Sequence, residues 1–535
     1  MDRALFINGK VVTLDPARPV AEAIYVERGR IRAVGETEEL TVQFGRRGVP
    51  LVDWQGGFVT PGLVDNHLHL MARGMERSLP DLSHVKSKEA LLERLRREAS
   101  QTPEGQWIRG LHWDQNRWER SDLPTLAEMD AAVPSHPMLL TRTCHHVHLV
   151  NSAAFRAAQL APDEPDPADG TFGRDERGAW NGQVYENASK PFYDALPPHT
   201  DTERRKWART GAQEALSLGL TAVHTEDMRL AGEVSVLESI FRGLVEEGLP
   251  LRSHHLIYHP HLEELRERGW KTGQGDEWFR IGAIKLFADG SIGGRTALLS
   301  KPYADDPSTT GLAVHTPGEL QQWVRRARGA GLTVAIHAIG DGGVERVIDA
   351  LEAAPLRRWV SPPHRDRLIH GQVLRRDLVE RLKRLPVAVD IQPRFVAGDF
   401  PWVMERLGPE RLDCAYAWRT LVEAGLLCGG GSDAPIEPMN PLLGIHAAVT
   451  RRAPGEDHDG YLPQEKLTCA QALRLFTLGA AETAGEEAER GSISSGKWAD
   501  FSVFDQDLLG QDPDRLLETR VIMTVVNGRI AYRSG

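Results

Sequence analysis

Residues 58–69 read FVTPGLVDNHLH, an apolar run turned at Pro61-Gly62 and closing on two histidines, His67 and His69, two positions apart. In an extended strand that spacing projects both imidazoles from one face, where they can bind a single metal ion. An isolated HxH pair is more often structural than functional. What decides the reading is that the same pattern, a short apolar run ending in a polar or ionisable residue, returns along the chain. It recurs as TAVHTED from Thr221, LRSHHLIY from Leu251, IGAIKLFADG from Ile281 and LTVAIHAIGD from Leu332. RLIHGQ from Arg367, VAVDIQP from Val387 and LLCGGGSDAP from Leu426 complete the set. Most of these runs are separated by helix-length amphipathic stretches such as PGELQQWVRRARGAG. The order predicts an α/β fold, a (β/α)8 TIM-type barrel. Catalytic groups of such barrels lie at the carboxyl ends of strands, so Lys285, His337, His370 and Asp433 join His67 and His69 as candidates. Singly, each has an ordinary explanation: a solvated lysine, a satisfied core histidine, a helix-capping aspartate. Five strands all ending in imidazole, amine or carboxylate are rarely a coincidence.

Outward from the barrel, both ends of the chain alternate apolar and polar residues. ALFINGKVVTL and EAIYVERGRIRAVG at the front, ADFSVFD and VIMTVVNGRIAYR at the back, carry Asn-Gly and Arg-Gly turn signals. Neither end can bury a core alone, which predicts one small β-sandwich built from both termini, residues 1–58 with 485–535. The barrel then occupies 59–484. The stretch 71–219 is far longer than a βα loop and has strand and helix signals of its own (QWIRG, PMLLTRT, KEALLERLRREA), so it is expected to be a large insertion after the first barrel strand, forming a lid.

The 535 residues carry 64 basic and 75 acidic side chains, a net charge of −11, with no Lys/Arg-dense stripe. That excludes nucleic acid as the expected partner and leaves a small-molecule substrate. Apolar runs are strand-sized, so no membrane span is expected, and the first ten residues lack the apolar segment of a signal peptide. Cys144, Cys414, Cys428 and Cys469 show no CxxC spacing. They read as reduced thiols of a cytoplasmic protein. No GxGxxG follows a strand and opens a helix, which disfavours a dehydrogenase.

The motifs VDNHLHL, IKLFADGS, IHAIGDGG, RLIHGQ and GGGSDAP together resemble the amidohydrolase superfamily over nearly the whole chain. GLTAVHTED, KLFADGSIGGRTA, SDAPIEPMNPLLGIHAAVTRR and GSISSGKWADFSVFD look most like its N-substituted formamide deformylase-like (YtcJ-like) branch. RTCHHVHLVNSAAF resembles that branch's Arg…His…Asn-Ser element, with His146 at the histidine. Two departures bear on substrate preference: Ile369 precedes His370 where the family often has glutamate, and Cys144-His145 replace an Asp-Gly.

The resemblance implies a role for each matched residue. His67 and His69 bind one divalent ion, His337 and His370 a second. Lys285, carboxylated by CO2 on its side-chain nitrogen, bridges the two, because an ammonium cannot bind a metal whereas a carbamate offers two anionic oxygens. Asp433 contacts the first ion and acts as base, taking a proton from a water activated to hydroxide and passing it to the leaving nitrogen. Zinc suits these ligands, although iron, manganese, cobalt and nickel share them. Weaker substrate-binding candidates are Asp289 and Ser291, Arg295 as a carboxylate clamp, and Arg142 and His146 on the insertion; Trp113, Trp118 and Trp402 are candidate pocket walls. The expected reaction is hydrolysis of an amide- or formamide-type C–N bond. Ester, lactone or phosphoester hydrolysis on the same metals, or a silent small-molecule-binding scaffold, remain as alternatives. The resemblance also makes a homodimer an expectation.

Overall fold

The computed structural model describes residues 2–45, 48–142, 147–167, 170–356 and 364–535. Eight parallel strands form one sheet: β1 (Leu63–Leu68), β2 (Leu220–Thr225), β3 (Arg252–Tyr258), β4 (Phe279–Phe287), β5 (Thr333–Ala338), β6 (Asp366–His370), β7 (Val387–Ile391) and β8 (Leu427–Gly430). Each pairs with its sequence neighbour, the signature of a TIM barrel. Alternation along the strands sorts the side chains. Leu256, Ala283, Ala335 and Ile369 from four consecutive strands form a small apolar cluster of their own inside the barrel. Their neighbours Ile257, Ile284, Ile336 and Leu368 belong to the large core shared with the helices.

β1 and β8 stand at opposite ends of the hydrogen-bonded strand order. The backbone brings them together beyond the end of β8: Asp433 N–H donates to the His67 carbonyl at 2.7 Å, and His69 N–H to the Ala434 carbonyl at 2.8 Å. Lower in the barrel, Arg367 of β6 pairs with Asp390 of β7 at 2.6 Å, both essentially buried, and Asn66 of β1 donates to the same carboxylate at 2.8 Å. Removing either member of such a buried pair costs about 3–5 kcal/mol, because the other is left uncompensated.

The terminal segments form two facing sheets, as their alternation predicts. One contains Arg3–Ile7, Ala23–Glu27, Arg30–Gly35 and Leu51–Asp53. The other joins Lys10–Val12, Val20–Ala21 and Phe58–Pro61 to the C-terminal strands Phe501–Phe504, Val521–Val526 and Arg529–Arg533. Phe6, Trp54, Phe501, Val503 and Val525 share the core between them. The sandwich is fastened to the barrel by the buried Arg252–Asp500 ion pair at 2.7 Å and by Ser502 Oγ, which donates to the Gly219 carbonyl at 2.6 Å.

Two compact units emerge: Met1–Gly74 with Arg204–Gly535, and Met75–Glu203. The second is narrower than the 71–219 stretch. The reason is the helix Asp201–Ser217, whose Ala208, Ala212, Ala215 and Leu216 pack with Leu70 and Met71 in the barrel's core. Within Met75–Glu203 lies a separate five-stranded sheet that includes Ile108–Trp113, Met138–Arg142 and Trp180–Glu186. Trp113 and Trp118 belong to that unit's own apolar core rather than to the barrel's. Among the described residues no helix is long and apolar enough to cross a membrane.

Candidate metal centre

The residues that end β1, β4, β5, β6 and β8 converge at the carboxyl end of the barrel. Asp433 Oδ1 lies 3.5 Å from His67 Nε2 and 3.4 Å from His69 Nε2. Ligand atoms of these three side chains all lie within 4.8 Å of one another, close enough to share one ion. Lys285 Nζ, on a side chain that is 1% exposed, is 3.1 Å from His67 Nε2. The His370 ring stands 5.8 Å from the His67 ring and 4.5 Å from that of His337.

Local backbone explains how two of these side chains reach the centre. Arg367 and Ile369 point into the barrel, so strict alternation would send His370 to the helix side. His370 instead has φ 77°, in the left-handed region, and its ring meets His337 and His67. Asp433 likewise has φ 57°. Non-glycine residues in this region cost on the order of 1–3 kcal/mol and concentrate at functional sites. Gly431 provides the close approach of the strand-end loop: a Cβ there would lie 2.6 Å from His67 N and 2.9 Å from His67 O, both backbone atoms that cannot step aside. Gly431→Ala should therefore displace Asp433 from the two histidines and cost roughly a hundredfold in turnover, the scale of a 1 Å misplacement. Metal content and kcat measured on one preparation check this; wild-type values of both would mean that the loop adapts.

Electrostatics prepare these groups for a cation. Burial lowers the His67 and His337 pKa far below the ordinary value, and burial also takes His370 down to about 4, so all three offer neutral nitrogens. Burial would also lower His69, but its bonds and charge pairing with Asp433 and Glu226 outweigh that and raise it to about 10. Its Nδ1–H donates to the Glu226 backbone carbonyl at 2.7 Å, and the Glu226 carboxylate lies 3.5 Å from the same nitrogen. Burial would raise Asp433, yet the His69 bond and the charges of His370, His69 and Lys285 hold it below the usual aspartate range. Lys285 is lowered by burial to about 8 despite Asp433, Glu226 and Asp390. A proton on His69 and an ammonium at the His67 lone pair thus occupy the positions that a metal ion would take, and the donor set fits one.

Partners fix the remaining ligands. His370 Nδ1 donates to Gln392 Oε1 at 2.7 Å, leaving Nε2 for a metal, and His337 Nε2 donates to the Gly290 carbonyl at 2.9 Å, leaving Nδ1. Neither Glu226 nor Gln392 was singled out by the sequence reading. Gln392 is signalled by its place two residues beyond Asp390 on the inward face of β7.

The weaker candidates have other partners, although Asp289 Oδ1 also lies 3.6 Å from His337 Nε2. Both Asp289 oxygens accept backbone N–H groups, from Ile339 at 3.0 Å, Gly340 at 2.8 Å and Leu298 at 2.9 Å, so it braces the loops after β4 and β5. Arg295 is paired with Asp305 at 2.7 Å. Ser291 N–H donates to Thr296 Oγ1 within the same loop. Arg142 donates to Gln115 at 2.9 Å and pairs with Asp114 inside its own unit, while His146 lies outside the described residues. A second group of potential ligands, His224, His254 and Glu486, sits toward the other end of the barrel. There Arg490 donates to His224 Nε2 at 2.7 Å and Arg280 to Glu486 at 3.1 Å, so guanidinium groups already fill the place of a cation.

The amidohydrolase family's sequence profile matches residues 51–532. The chain belongs to the amidohydrolase family. Within it, the chain is 38% identical over 532 residues to YtcJ of Bacillus subtilis (strain 168), covering 99% of each. It is 27% identical over 553 residues to the N-substituted formamide deformylase of Arthrobacter pascens, covering 99% of this chain and 98% of that protein. These likenesses place it in the YtcJ-like branch of the family. Among solved structures, an uncharacterized metal-dependent hydrolase from Pyrococcus horikoshii OT3 superposes with a TM-score of 0.80 at 29% identity, covering 96% of this chain and 99% of that one.

Proposed function

We propose that this member of the amidohydrolase family is a metal-dependent hydrolase that cleaves an amide- or formamide-type C–N bond of a small molecule. The observation that carries the reading is Asp433 Oδ1 set almost equally between His67 Nε2 and His69 Nε2. A binding scaffold needs no ionised base at that point. The N-substituted formamide deformylase relative supports the bond type.

His67, His69 and Asp433 would hold one divalent ion, and zinc suits two imidazoles and a carboxylate. His337 and His370 would hold a second if Lys285, carboxylated on Nζ, supplies the bridge. A metal here supplies Lewis acidity toward water and a carbonyl oxygen. The chain's own part is proton management. Asp433, ionised across the neutral range, accepts the proton of the attacking water and returns it to the leaving nitrogen, which departs poorly as an anion. Glu226 keeps the His69 ring turned toward Asp433, and Gln392 does the same for His370 toward the centre.

The test is a chelated preparation, reloaded with zinc and assayed on N-formyl and N-acyl compounds beside matched esters. Activity on the C–N substrates should vanish with the metal and return with it. Metal uptake must displace the His69 proton and, below about pH 8, the Lys285 ammonium proton as well, so affinity should rise by at least about tenfold per pH unit through the neutral range and level off as pH approaches 10. Full activity without metal, or turnover confined to the esters, would overturn the reading.

A further inference from the structure

Three consecutive strands, β2, β3 and β4, deliver an arrangement at the barrel's carboxyl end that the metal chemistry does not use. Tyr258 is the last residue of β3 and Phe287 the last of β4, and their rings meet edge to face at 6.0 Å. Arg229, in the short helix Met228–Ala231 that follows β2, lies over both, its Cζ 5.1 Å from the Tyr258 ring centre and 5.3 Å from that of Phe287. Phe287 also borders the metal centre: Lys285 Nζ is 5.1 Å from its ring centre and the His337 ring 5.2 Å. A single aromatic ring therefore connects the Arg229 guanidinium with the reacting groups.

Arg229 is exposed, and among the described residues it has no ion pair and no hydrogen-bonded partner. The acids beside it in sequence are committed elsewhere. Glu226 is turned to His69, and Asp227 accepts from Met71 N at 2.8 Å and Thr225 Oγ1 at 2.6 Å. Other arginines near the mouth are neutralised: Arg295 by Asp305, and Arg394 by Glu437 at 3.0 Å. Two ring faces restrict the guanidinium without using its N–H donors, since the attraction is to the π-electrons. What they leave available is a planar fork that matches a carboxylate.

We infer that Arg229 is a specificity-determining residue that binds a carboxylate carried by the substrate several atoms from the scissile C–N bond. This rests on the C–N hydrolase reading for the reaction, though not for the anion site. The substrate class is then an N-acylated or N-formylated amino acid rather than a neutral amide, with its carbonyl at the metal centre and its carboxylate beyond the Phe287 ring.

The experiment uses the full-length zinc-loaded enzyme and a series of N-formyl ω-amino acids, from N-formylglycine to N-formylaminohexanoate, each beside its carboxamide. At one chain length kcat/KM for the acid should exceed that for the amide by about tenfold to a hundredfold, the worth of one charge-assisted contact. The difference should reside in KM. Arg229→Met should bring the ratio to about one, and Arg229→Glu should invert it. Calorimetric titration of the same acids and amides reads the anion site without turnover. A binding preference for acids that depends on Arg229, with no compound hydrolysed, supports the anion site and overturns the C–N reading alone. Acids and amides bound alike at every length, or a preference that survives in Arg229→Met, overturns the inference.

Discussion

Asp433→Asn should retain at least one metal ion per chain and lose roughly a hundredfold to ten-thousandfold in turnover, the range for removing a general base. Asparagine keeps the volume and one oxygen at the position that lies 3.5 and 3.4 Å from the two histidine nitrogens, so a ligand atom remains. What disappears is the capacity to take a proton. The left-handed φ of 57° at this position is tolerated by asparagine as well as by aspartate, so the substitution adds little backbone strain. In the wild-type protein, Asp433 is held below the ordinary aspartate pKa and stays ionised through the mildly acid range. Its rate should therefore fall toward low pH and not peak there. Metal content and kcat from one preparation decide the matter. Near-normal turnover with normal metal would move the proton transfer to another group, and complete loss of metal would make Asp433 chiefly a ligand.

Lys285→Ala should cost both metal occupancy and more than about a hundredfold in rate, beyond what loss of a supporting outer partner alone produces. The amine is buried, at the His67 lone pair, and lies over the Phe287 ring. An ammonium in that place repels any cation bound by His67. With its pKa lowered to about 8, roughly a tenth of Lys285 is neutral at pH 7. Loss of one proton from the ammonium leaves the neutral amine, which can add CO2 to give a carbamate with release of a second proton, so that the two steps together exchange a positive charge for an anionic group. Short carboxylic acids such as acetate or propionate should then restore part of the activity of Lys285→Ala by placing an anion in the vacated space. Unchanged metal content in this variant would restrict the centre to the ion held by His67, His69 and Asp433.

The barrel was legible in the sequence because its signal is local and repeated. Each strand is a short apolar run, and the residues His67, His69, Lys285, His337, His370 and Asp433 stand at or just beyond the carboxyl ends of five of them. The two-sheet sandwich was legible for the same reason, since alternation along ALFINGKVVTL and VIMTVVNGRIAYR has one apolar face to bury. The helix Asp201–Ser217 was assigned to the insertion because it precedes β2 in the chain. Only packing against Leu70 and Met71 reveals that it belongs to the barrel.

Direction and partnership were decided by the tertiary structure. Nothing in RLIHGQ announces that His370 takes φ 77° and turns against the alternation of its strand. Glu226 was in plain view within TAVHTED, but its relation to His69 spans 157 positions and exists only once β1 and β2 are paired. The arginines make the same point from the other side. A single sequence cannot distinguish Arg295, neutralised by Asp305, from Arg229, which lies over two rings with no ion pair among the described residues. Periodicity records which residues are buried. It does not record which charge a given side chain meets, because that depends on contacts between strand ends that fold together from distant parts of the chain.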